Sequence, residues 1–461
     1  MDFNIPNYVK NVLNRVKDNN FEAYIVGGCV RDLLIGREPS DYDITTSAKP
    51  DEIEEIFKDY KTIQVGKEFG TIVVVQPENN IEVTTFRTEG EYKDGRRPSE
   101  VSFSYDIVDD LSRRDFTINA MAYDSDKGLI DPFNGLDQLN KKQIMAVGNP
   151  TVRLKEDYLR ILRAVRFATQ LEFTIEKSTY NACKELSDYL KYISAERIRD
   201  ELFKIMLSNI PSYGLKMMYD LNILNIIIPE LIPTVNFDQN NPNHNRSLFE
   251  HICCVVDTSP AKLEIRMAAL LHDIGKPMTQ SIDEKGISHY YNHDKLGADF
   301  AREVLIRLRC PNEFIYKVTM LIREHMYHSS IKDKGLKREL NRVGEENIFD
   351  LYDLKRADMM CKGDKTKELD GLEQKIRQIE EILEKKEPYN KSQLIIDGND
   401  IISLGLPKGK IIGELLSYLT EKVIEHPEYN NREKLIELVK NTMNSEQWTT
   451  NSEQWTMNRK R

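Results

Sequence analysis

The sequence contains no apolar run of the roughly 18 to 20 residues that a membrane-spanning helix needs. Its first ten residues also lack the apolar stretch of a secretory signal. Positive charge is not in excess, because the formal net charge is −10, which argues against a protein that coats nucleic acid by bulk electrostatics. We therefore expect a cytoplasmic protein without a membrane anchor, in which any RNA contact is made by local basic faces.

Cysteine and tryptophan are both scarce. The six cysteines form no Cys-x-x-Cys pair, and Cys253 and Cys254 are the two that are adjacent, so we expect free thiols in a reducing compartment. Both tryptophans lie in a segment, NSEQWT, that occurs twice after residue 443. Two copies are too few for a solenoid, which favours a disordered, dispensable tail, although exposed tryptophans could also anchor a partner peptide.

The order of strand-like and helical patterns predicts an α+β protein. A chain of 461 residues should divide into two to four units at about 100 to 200 residues each. Helical periodicity dominates from about residue 151, with charged helices from Gly371 to Lys386 and from Asp397 to Ile436. Before that point a helix at Pro50–Tyr60 alternates with β-rich runs, namely Ala23–Val26, Thr71–Val75, Ile81–Phe86 and Val101–Tyr105. We predict a small α/β head with a mixed or antiparallel sheet, followed by an all-helical remainder.

A glycine pair and two aspartates form the first candidate site. Gly27 and Gly28 end a strand-like run and open a helical one, so their N–H groups would face a triphosphate, and Arg31 adds positive charge. Asp41 and Asp43 follow at a spacing that places both on one face of a strand. An isolated Asp-x-Asp is most often a pair of solvated loop residues, so this motif needs support from its surroundings.

Two adjacent carboxylates repel each other unless a cation lies between them, and their oxygens suit Mg²⁺. In two-metal phosphoryl transfer, which we expect here, one such ion would lower the pKa of an attacking 3′-hydroxyl and a second would neutralise the departing pyrophosphate. Glu82, in the strand-like run IEVTTF, is the candidate third carboxylate. We predict Asp41, Asp43 and Glu82 as catalytic residues, with Asp41 and Asp43 as metal ligands.

Four ordered motifs give these residues a context. The pattern GGxxRDxLxGxxxxDxD begins at Gly27, and it is followed by RRDFTINAMA from Arg113, DPFNGLDQL from Asp131 and EDYLRILRAVRF from Glu156. This series resembles the nucleotidyltransferase superfamily that includes DNA polymerase beta, in the form found in tRNA CCA-adding enzymes and bacterial poly(A) polymerases. The resemblance implies that residues 87–112 form a flexible loop linked to specificity, and that the incoming nucleotide is contacted by Arg114, Asp115 and Asn119.

The last of these motifs contains a candidate base selector. On a helix predicted to begin near Leu154, Asp157 and Arg160 lie three residues apart and share a surface with Arg153, Glu156 and Arg163. A carboxylate beside a guanidinium matches the amine donor and ring-nitrogen acceptor of cytosine and adenine and mismatches uracil and guanine. The resemblance assigns this role to Asp157 and Arg160, with Glu156 orienting the arginine. Ordinary ion pairs on a solvated helix are the alternative.

Seven of the eight histidines lie between His244 and His328, which marks the middle of the chain as a candidate metal region. The phrase AALLHDIGKP resembles the HD phosphohydrolase superfamily, and imidazole with carboxylate suits Mn²⁺, Ni²⁺ or Fe²⁺. His244 and His328 are possible outer groups, and His289 is interpreted as a surface residue. A structural metal site, or an inactive domain that binds RNA, is the alternative to an active hydrolase. The predicted ligands are His251, His272, Asp273, His293, His325 and Asp358.

The resemblance implies a head at 1–145, a neck at 146–240, an HD domain at 241–365, a helical tail at 366–443 and the repeat at 444–461. The expected partners are the 3′ end of tRNA, CTP and ATP, with no DNA; the oligomeric state is not predicted. Poly(A) synthesis or addition of A or CC alone is an alternative, as is an HD hydrolase with a nucleotide-binding head, or a non-catalytic RNA-binding protein. Candidate RNA-binding residues are Arg197, Arg199, Lys337, Arg338 and Arg342.

Overall fold

A computed structural model describes residues 3–64, 66–90, 101–240, 246–326, 333–363 and 366–444. The chain forms two compact units, unit 1 (residues 1–232 and 304–310) and unit 2 (residues 233–303 and 311–461). Within the described ranges, no helix combines the length and apolar character needed to cross a membrane. The division into five segments stays a prediction.

The head contains a mixed seven-stranded sheet, as the sequence predicts. The strands of the head are β1 (Ala23–Val26), β2 (Asp43–Thr46), β3 (Thr62–Ile63), β4 (Thr71–Val74), β5 (Ile81–Thr85), β6 (Arg87–Glu89), β7 (Val101–Phe103), β8 (Ala122–Asp124) and β9 (Gly128–Ile130). The sheet order is β3-β4-β5-β2-β1-β8-β9, and β6 pairs with β7 separately. Strands β2 and β5 run parallel, with Asp43 opposite Glu82, while the other neighbours are antiparallel.

Helices cover one face of this sheet because their apolar residues recur every three or four positions. Val9, Val12, Leu13 and Val16 of the first helix are buried against the sheet residues Ile25, Ile44, Ile72 and Val83 in one core. The helices of the head are α1 (Asn7–Asp18), α2 (Gly28–Leu34), α3 (Pro50–Ile56), α4 (Ile107–Ser112) and α5 (Gly135–Asn140). This core fixes the ends of β1 and β2, from which the candidate site is built.

The segment from residue 87 to 112 is more regular than predicted. Strand β6 pairs antiparallel with β7, with Arg87 opposite Phe103, and α4 follows directly. Strand β7 lies within the β-rich run predicted at Val101–Tyr105. The predicted loop is wrong for β6 and α4, because a charged, glycine-bearing run does not reveal a strand whose partner lies across it. Residues 91–100 of the predicted loop lie outside the described residues.

The remainder of unit 1 is helical, with two short parallel strands, β10 (Gln143–Ile144) and β11 (Thr174–Ile175). The single helix predicted from Leu154 onward is wrong, because it ends at Glu156 and restarts at Leu159, with Asp157 in an extended conformation between them. The helices are α6 (Pro150–Glu156), α7 (Leu159–Leu171), α8 (Lys177–Leu186), α9 (Ala195–Met206), α10 (Pro211–Asp220) and α11 (Leu224–Ile227).

Unit 2 is nearly all helix, apart from the hairpin of β12 (Gln280–Ile282) and β13 (Ser288–Tyr290). The helices from here to the C-terminus are α12 (Leu248–Thr258), α13 (Leu263–Leu271), α14 (Lys276–Thr279), α15 (His293–Arg307), α16 (Asn312–Glu324), α17 (Asp333–Val343), α18 (Glu345–Met360), α19 (Thr366–Glu384), α20 (Gly398–Ser403), α21 (Lys410–Glu425) and α22 (Arg432–Asn444). The predicted charged helices correspond to α19, α20 and α21. The repeated tail lies outside the described residues beyond Asn444.

A disulfide joins Cys254 of α12 to Cys361 at the end of α18, across 107 positions. The prediction of free thiols is wrong for this pair. Nothing in the local spacing of the two cysteines could reveal the bond, because the packing of α12 against α18 alone brings them together. The other four cysteines are buried and free, as predicted.

Candidate functional site

The Gly-Gly turn shapes the entrance to α2. Gly27 has a φ of +83°, which L side chains rarely adopt. A Cβ at Gly27 would also lie 2.9 Å from Nη1 of Arg114. Glycine at position 27 therefore permits both the turn from β1 into α2 and the close approach of the arginine.

One cleft of about 1280 Å³ in unit 1 gathers almost all the residues predicted for nucleotide transfer. Glu82 and Glu156 do not line it, although Glu82 pairs in register with Asp43 and Glu156 contacts Arg160. The predicted residues that line the cleft are Gly27, Gly28, Arg31, Asp41, Asp43, Arg114, Asp115, Asn119, Asp157, Arg160 and Arg163. The structure thus places the carboxylate pair and the base-selecting pair on one cavity.

Three carboxylates approach one another at the edge of this cleft. Asp43 begins β2, whereas Asp41 lies just before the strand and accepts a hydrogen bond of 3.0 Å from Ser40 Oγ. The prediction that both aspartates lie on a strand is therefore wrong for Asp41. The protein around Asp43 limits its hydration, and the charges of Glu82 and Asp41 act in the same direction, so the pKa of Asp43 rises to about 6. This crowding of negative charge is the condition that a divalent cation relieves.

A buried carboxylate that the sequence did not single out holds two arginines at the cleft. Asp110, fully buried at the end of α4, accepts hydrogen bonds from Arg113 Nη2 at 2.7 Å and from Arg114 Nη2 at 3.1 Å. Burial opposes the ionisation of Asp110, but the two guanidinium groups outweigh it and keep its pKa below the usual range. The doublet Arg113-Arg114 in the second motif was the available signal for such an anchor.

Asp115 and Asn119 are connected to two further arginines. Asp115 accepts a hydrogen bond of 2.8 Å from Arg163 Nε, and Asn119 Oδ1 accepts one of 2.8 Å from Arg31 Nη1. Although burial works against its ionisation, Arg163 and Arg160 lower the pKa of Asp115 to about 2. Asp115 is therefore ionised and holds Arg163 in position. Arg160 and Arg163 both line the cleft.

The two residues of the predicted base selector have separate partners, and Glu156 contacts Arg160 as the resemblance implies. Arg160 donates to Glu156 and, over 2.8 and 3.1 Å, to the carbonyls of Arg153 and Arg113. The Asp157 carboxylate, in contrast, contacts Arg197 of α9, with Nη2 2.6 Å from Oδ2. Arg197 was predicted as an RNA-binding residue and not as part of this site.

The sequence did not single out Phe167 or Arg166, which contact other residues of the cleft. Phe167 of α7 lies in the cleft, and the guanidinium carbons of Arg31, Arg163 and Arg166 are 5.3, 5.4 and 4.0 Å from its ring centroid. Burial lowers the pKa of Arg166 to about 10, while Glu201, 2.7 Å away, opposes that change. Arg163 and Arg166 lie on the same helix as Phe167, whereas Arg31 comes from α2, a contact that local spacing does not reveal.

Unit 2 brings all six predicted metal ligands together. Nε2 of His272 and of His293 lie 3.1 and 3.3 Å from oxygens of Asp273, and Nε2 of His251 lies 3.1 Å from Asp358 Oδ1. Nε2 of His325 is 3.9 Å from Asp273. Two groups of three, His251, His272, Asp273 and Asp273, His293, His325, have ligand atoms close enough to hold one ion. His244 and His328 lie outside the described residues.

The tautomers of three histidines suit metal binding. Nδ1 of His272, His293 and His325 lies within 2.8 Å of the backbone carbonyl three residues earlier, which favours a proton on Nδ1 and a lone pair on Nε2. In the part of the chain that the structure describes, Nε2 of His272 and of His293 makes no hydrogen bond. Burial, together with the nearby imidazole of His272, lowers the pKa of His325 to about 3, so this ring is neutral at physiological pH.

Two lysines complete the charge balance of this cluster. Lys276 Nζ lies 2.7 Å from Asp273 Oδ2, and Lys362 Nζ lies 2.5 Å from Asp358 Oδ2. Burial opposes ionisation of Asp273, yet His272 and Lys276 hold its pKa well below the usual range. Both lysines also line a smaller cavity with His293 and His325. The sequence reasoning passed over Lys276, although it lies within the HD motif.

The predicted RNA-binding basic residues are engaged in ion pairs. Arg199 contacts Asp200 at 2.8 Å, Arg342 contacts Glu324 at 2.9 Å, and Arg338 lies between two glutamates of α21. Lys337 is buried and paired with Glu387 at 2.6 Å. The prediction of Lys337 as RNA-facing surface is therefore wrong, because its helix turns this lysine inward.

Three family models match successive parts of the chain. Residues 23–145 match the poly A polymerase head domain, and residues 172–234 match the probable RNA and SrmB-binding site of polymerase A. Residues 285–439 match tRNA nucleotidyltransferase domain 2. The first match covers the sheet and the carboxylate pair, and the second covers α9 with Arg197.

Curated relatives and solved structures extend this likeness to nearly the whole chain. The CCA-adding enzyme of Staphylococcus haemolyticus is 50% identical over 48% of this chain and 55% of its own length, so the chain spans about half of that relative. The CCA-adding enzyme of Ligilactobacillus salivarius is 32% identical over 95% of this chain and 97% of its own. The crystal structure of the Bacillus stearothermophilus CCA-adding enzyme in complex with CTP is 26% identical, with a TM-score of 0.72 over 94% of this chain and 96% of that one. The chain therefore belongs to the family of CCA-adding enzymes, which are nucleotidyltransferases.

Proposed function

We propose that the protein is a cytoplasmic enzyme that adds nucleotides from CTP and ATP to the 3′ end of tRNA and restores the terminal CCA. One observation carries the proposal: the crowded carboxylates Asp41 and Asp43 and the selector residues Asp157 and Arg160 line the same cleft. The carboxylates would then promote transfer of the same nucleotide whose base Asp157 and Arg160 select. The relatives named as CCA-adding enzymes support this substrate.

Asp41 and Asp43 are the groups that would hold Mg²⁺, with Glu82 as the neighbouring carboxylate. Their oxygens are the hard ligands this ion prefers. Burial and, after it, the charges of Glu82 and Asp41 raise the pKa of Asp43, and a bound cation would relieve that repulsion. When bound, Mg²⁺ supplies charge neutralisation at the reacting phosphate and favours ionisation of the attacking hydroxyl. The contribution of the side chains is to hold these oxygens in register at the ends of β2 and β5.

The arginines around the glycine turn suit the triphosphate. Arg114 lies beside Gly27 and Arg31 lies beside Gly28, so two charged donors line the same part of the cleft. Asp110 and Asn119 hold the two guanidinium groups in position before any nucleotide binds. Such preorganisation reduces the free energy needed to order the site on binding.

The choice of base follows from the donor and acceptor pattern of Asp157 and Arg160. The carboxylate accepts from an exocyclic amine, and the guanidinium donates to a ring nitrogen, a pattern that cytosine and adenine satisfy. Uracil and guanine would set a carbonyl against the carboxylate and a ring N–H against the guanidinium. Glu156 fixes Arg160 and Arg197 fixes Asp157, so neither side chain adapts freely to the wrong base.

Incubation of the purified protein with tRNA that lacks its 3′ CCA, and with each NTP alone and in combination, tests the proposal. We expect C to be added first and A only after C, with no addition of U or G. Incorporation of A alone would favour a poly(A) polymerase or an A-adding enzyme. Addition that ends after two C residues would favour a CC-adding enzyme. Both outcomes would overturn restoration of the full CCA end.

The role of the carboxylates is tested by Asp43→Ala, with Asp51→Ala as the control, since Asp51 is an exposed carboxylate of the same unit. We expect Asp43→Ala to abolish nucleotide addition and Asp51→Ala to retain it. Equal activity of the two variants would contradict the catalytic assignment.

A second activity is favoured by the cluster in unit 2. We propose that His251, His272, Asp273, His293, His325 and Asp358 hold a divalent transition metal such as Mn²⁺ or Ni²⁺, and that unit 2 hydrolyses phosphate esters, including 2′,3′-cyclic phosphates. The convergence of Nε2 lone pairs on two buried carboxylates supports the metal. A bound metal would supply a hydroxide-like water at neutral pH.

Metal analysis of the purified protein tests this second activity, together with hydrolysis of a 2′,3′-cyclic nucleotide. We expect about one transition metal per chain in the wild type and loss of it in His293→Ala. His289→Ala is the matched control, because His289 lies four positions away and pairs with Asp283 outside the cluster. Nucleotide addition should persist in His293→Ala. Absence of metal from the wild type after supplementation would exclude the assignment, and loss of both activities in Asp43→Ala would contradict two independent sites.

A further inference from the structure

Three tyrosines form a continuous aromatic cluster in unit 1. The rings of Tyr158 and Tyr189 are stacked, with centroids 4.7 Å apart and planes inclined by 14°. Tyr192 follows at 6.1 Å from Tyr189 with its plane tilted by 46°. Tyr189 and Tyr192 both belong to the 3-10 helix Ser187–Tyr192, so a short, rigid element presents them together.

The cluster becomes more exposed with distance from Tyr158. Tyr158 is half-buried at the start of α7, whereas Tyr189 is 42% exposed and Tyr192 is 68% exposed. An isolated exposed tyrosine needs no explanation, but three neighbouring rings with an open end form a surface on which another flat ring would stack. Tyr158 is the packed base of this surface, and Tyr192 is its open end.

The base of the cluster adjoins the proposed base selector. Tyr158 is the residue directly after Asp157, whose carboxylate lines the cleft and contacts Arg197. None of the three tyrosines lines the cleft, so the tyrosine surface lies outside it, with its base next in sequence to a residue of the cleft lining. A chain that enters the cleft with its terminal hydroxyl would place its preceding residues next to this surface.

Positive charge accompanies the rings. Lys191 Nζ lies 5.2 Å from the centroid of the Tyr192 ring. Arg197, on the following helix, adds a guanidinium on the side of Asp157. Exposed aromatic rings interleaved with cationic side chains are the recurrent surface for single-stranded nucleic acid, because every base has a face that stacks and every phosphate is negative. The family model described as an RNA-binding site spans Tyr189, Lys191, Tyr192 and Arg197.

We propose that Tyr189 and Tyr192 form a stacking surface for the unpaired bases at the 3′ end of the RNA that receives the new nucleotide, and that Tyr158 holds Tyr189 in position. This inference rests on the proposed nucleotide addition and specifies how its RNA substrate is held. Stacking tolerates any base, so the surface accepts the RNA end before and after each addition. The tyrosines determine the affinity for the RNA and leave the choice of NTP to Asp157 and Arg160.

Steady-state kinetics on tRNA lacking CCA separate this role from others. Because stacking of one base on an aromatic ring corresponds to roughly 5- to 100-fold in affinity, Tyr192→Ala should raise KM for the RNA by about that factor. KM for ATP and CTP should stay within about twofold, since the rings lie outside the NTP cleft. Tyr192→Phe keeps the ring and should behave as the wild type. Tyr316→Ala, which removes a 63% exposed tyrosine of unit 2, is the matched control.

Fluorescence tests the stacking itself. An RNA primer with 2-aminopurine at an unpaired position that precedes its terminal nucleotide should lose fluorescence on binding to the wild type and to Tyr192→Phe, because stacking quenches this base. Tyr189→Ala and Tyr192→Ala should show weaker quenching at saturating protein. Thermal unfolding of each variant checks that the fold is retained, and the high exposure of Tyr192 makes Tyr192→Ala the decisive variant.

The outcomes distinguish failure of this inference from failure of the proposed function. A wild-type protein that adds no nucleotide to any RNA would overturn the proposed function. A wild type that adds CCA, with unchanged RNA KM and unchanged quenching in Tyr192→Ala, would overturn the tyrosine surface alone. Equal losses in KM for RNA and for NTP would assign the tyrosines to the nucleotide site and would also overturn the inference.

Discussion

The carboxylate of Asp157 contacts the guanidinium of Arg197, with Oδ2 2.6 Å from Nη2, although 40 positions separate the two residues. Asp157 lies in the break between α6 and α7, where no helix fixes its backbone, and Arg197 lies on α9. The ion pair therefore holds the proposed base-reading carboxylate in place from a different helix.

Arg197→Ala should weaken base discrimination. Without its partner the Asp157 side chain gains freedom, and loss of a hydrogen bond between charged groups corresponds to about 1.5 kcal/mol, or roughly tenfold in selectivity. The ratio of kcat/KM for CTP to that for UTP measures the effect. Arg199→Ala is the control, because Arg199 lies on the same helix and pairs with Asp200. An unchanged ratio in Arg197→Ala would contradict the role of the ion pair.

Gly27→Ala should weaken nucleotide binding, and its loss of protein stability should not by itself account for that effect. The positive φ costs about 1 to 2 kcal/mol for a residue with a Cβ, and the new methyl group would displace Arg114. Gly128→Ala is the control, since Gly128 has a φ of +77° with no atom within 4 Å of its Cβ position. Both variants should lose similar stability in thermal unfolding, while KM for NTP should rise in Gly27→Ala alone. Equal KM values would show that the approach of Arg114 does not matter.

Asp43→Asn should stabilise the metal-free protein above pH 6. The pKa of Asp43 is raised from 3.8 to about 6, so the ionised form is disfavoured in the folded state. Protonated Asp43 therefore contributes to the free energy of unfolding of the wild type in full below about pH 4, and this contribution is lost as the pH rises through 6. The difference from Asp43→Asn should therefore grow between pH 4 and 6 to about 1 kcal/mol after solvent screening and then level off. Urea unfolding in EDTA measures this difference in the free energy of unfolding. A difference that does not change with pH would contradict the raised pKa of Asp43.

Asp110→Asn should lower the stability of the protein and weaken NTP binding in the cleft. Asp110 is fully buried between two arginines, and breaking a buried charge pair costs about 3 kcal/mol. Because Arg114 loses its anchor, KM for NTP should rise together with the loss of stability. Asp109→Asn is the neighbouring control, since Asp109 accepts a hydrogen bond from Ser104 and contacts no arginine in the cleft lining. Retained stability in Asp110→Asn would exclude an ionised Asp110.

The Cys254–Cys361 bond should stabilise unit 2. It closes a segment of 107 positions, for which removal of a disulfide costs about 2 to 4 kcal/mol. Dithiothreitol should lower the unfolding temperature of the wild type and leave a variant with Cys254→Ser and Cys361→Ser unchanged. Thiol titration of the denatured protein should find four free cysteines without reductant. Six free thiols under these conditions would show that the bond is not formed.

Local patterns predicted the elements well and their pairing less well. Strand β1 lies where its apolar run ends at the glycines, and α3 falls within the helix predicted at Pro50–Tyr60. The break between α6 and α7 was missed because an Asp followed by a Tyr within a helical pattern does not predict an extended backbone at Asp157. The hairpin of β6 and β7 and the disulfide were missed because both depend on contacts across intervening residues.

The candidate sites show the same division. Asp41, Asp43 and the six residues of the HD series were predicted as metal ligands from residue type, order and resemblance. They stay predictions, and the structure brings each of the two sets together. Asp110, Arg166 and Arg197 were not identified as site residues, because a carboxylate or an arginine on a helix is most often solvated. Their roles arise from partners that are distant in sequence.

The sequence by itself determined the chemistry: a carboxylate pair after a glycine turn, an Asp and Arg three positions apart, and an ordered set of imidazoles and carboxylates. These depend on side-chain type and short spacing, which the chain carries without folding. Only the tertiary structure decided that Asp157 pairs with Arg197, that Asp110 anchors Arg114, and that Tyr158 stacks on Tyr189. Those relationships exist only after burial brings separate helices together, because the free energy that selects each partner comes from packing across the fold.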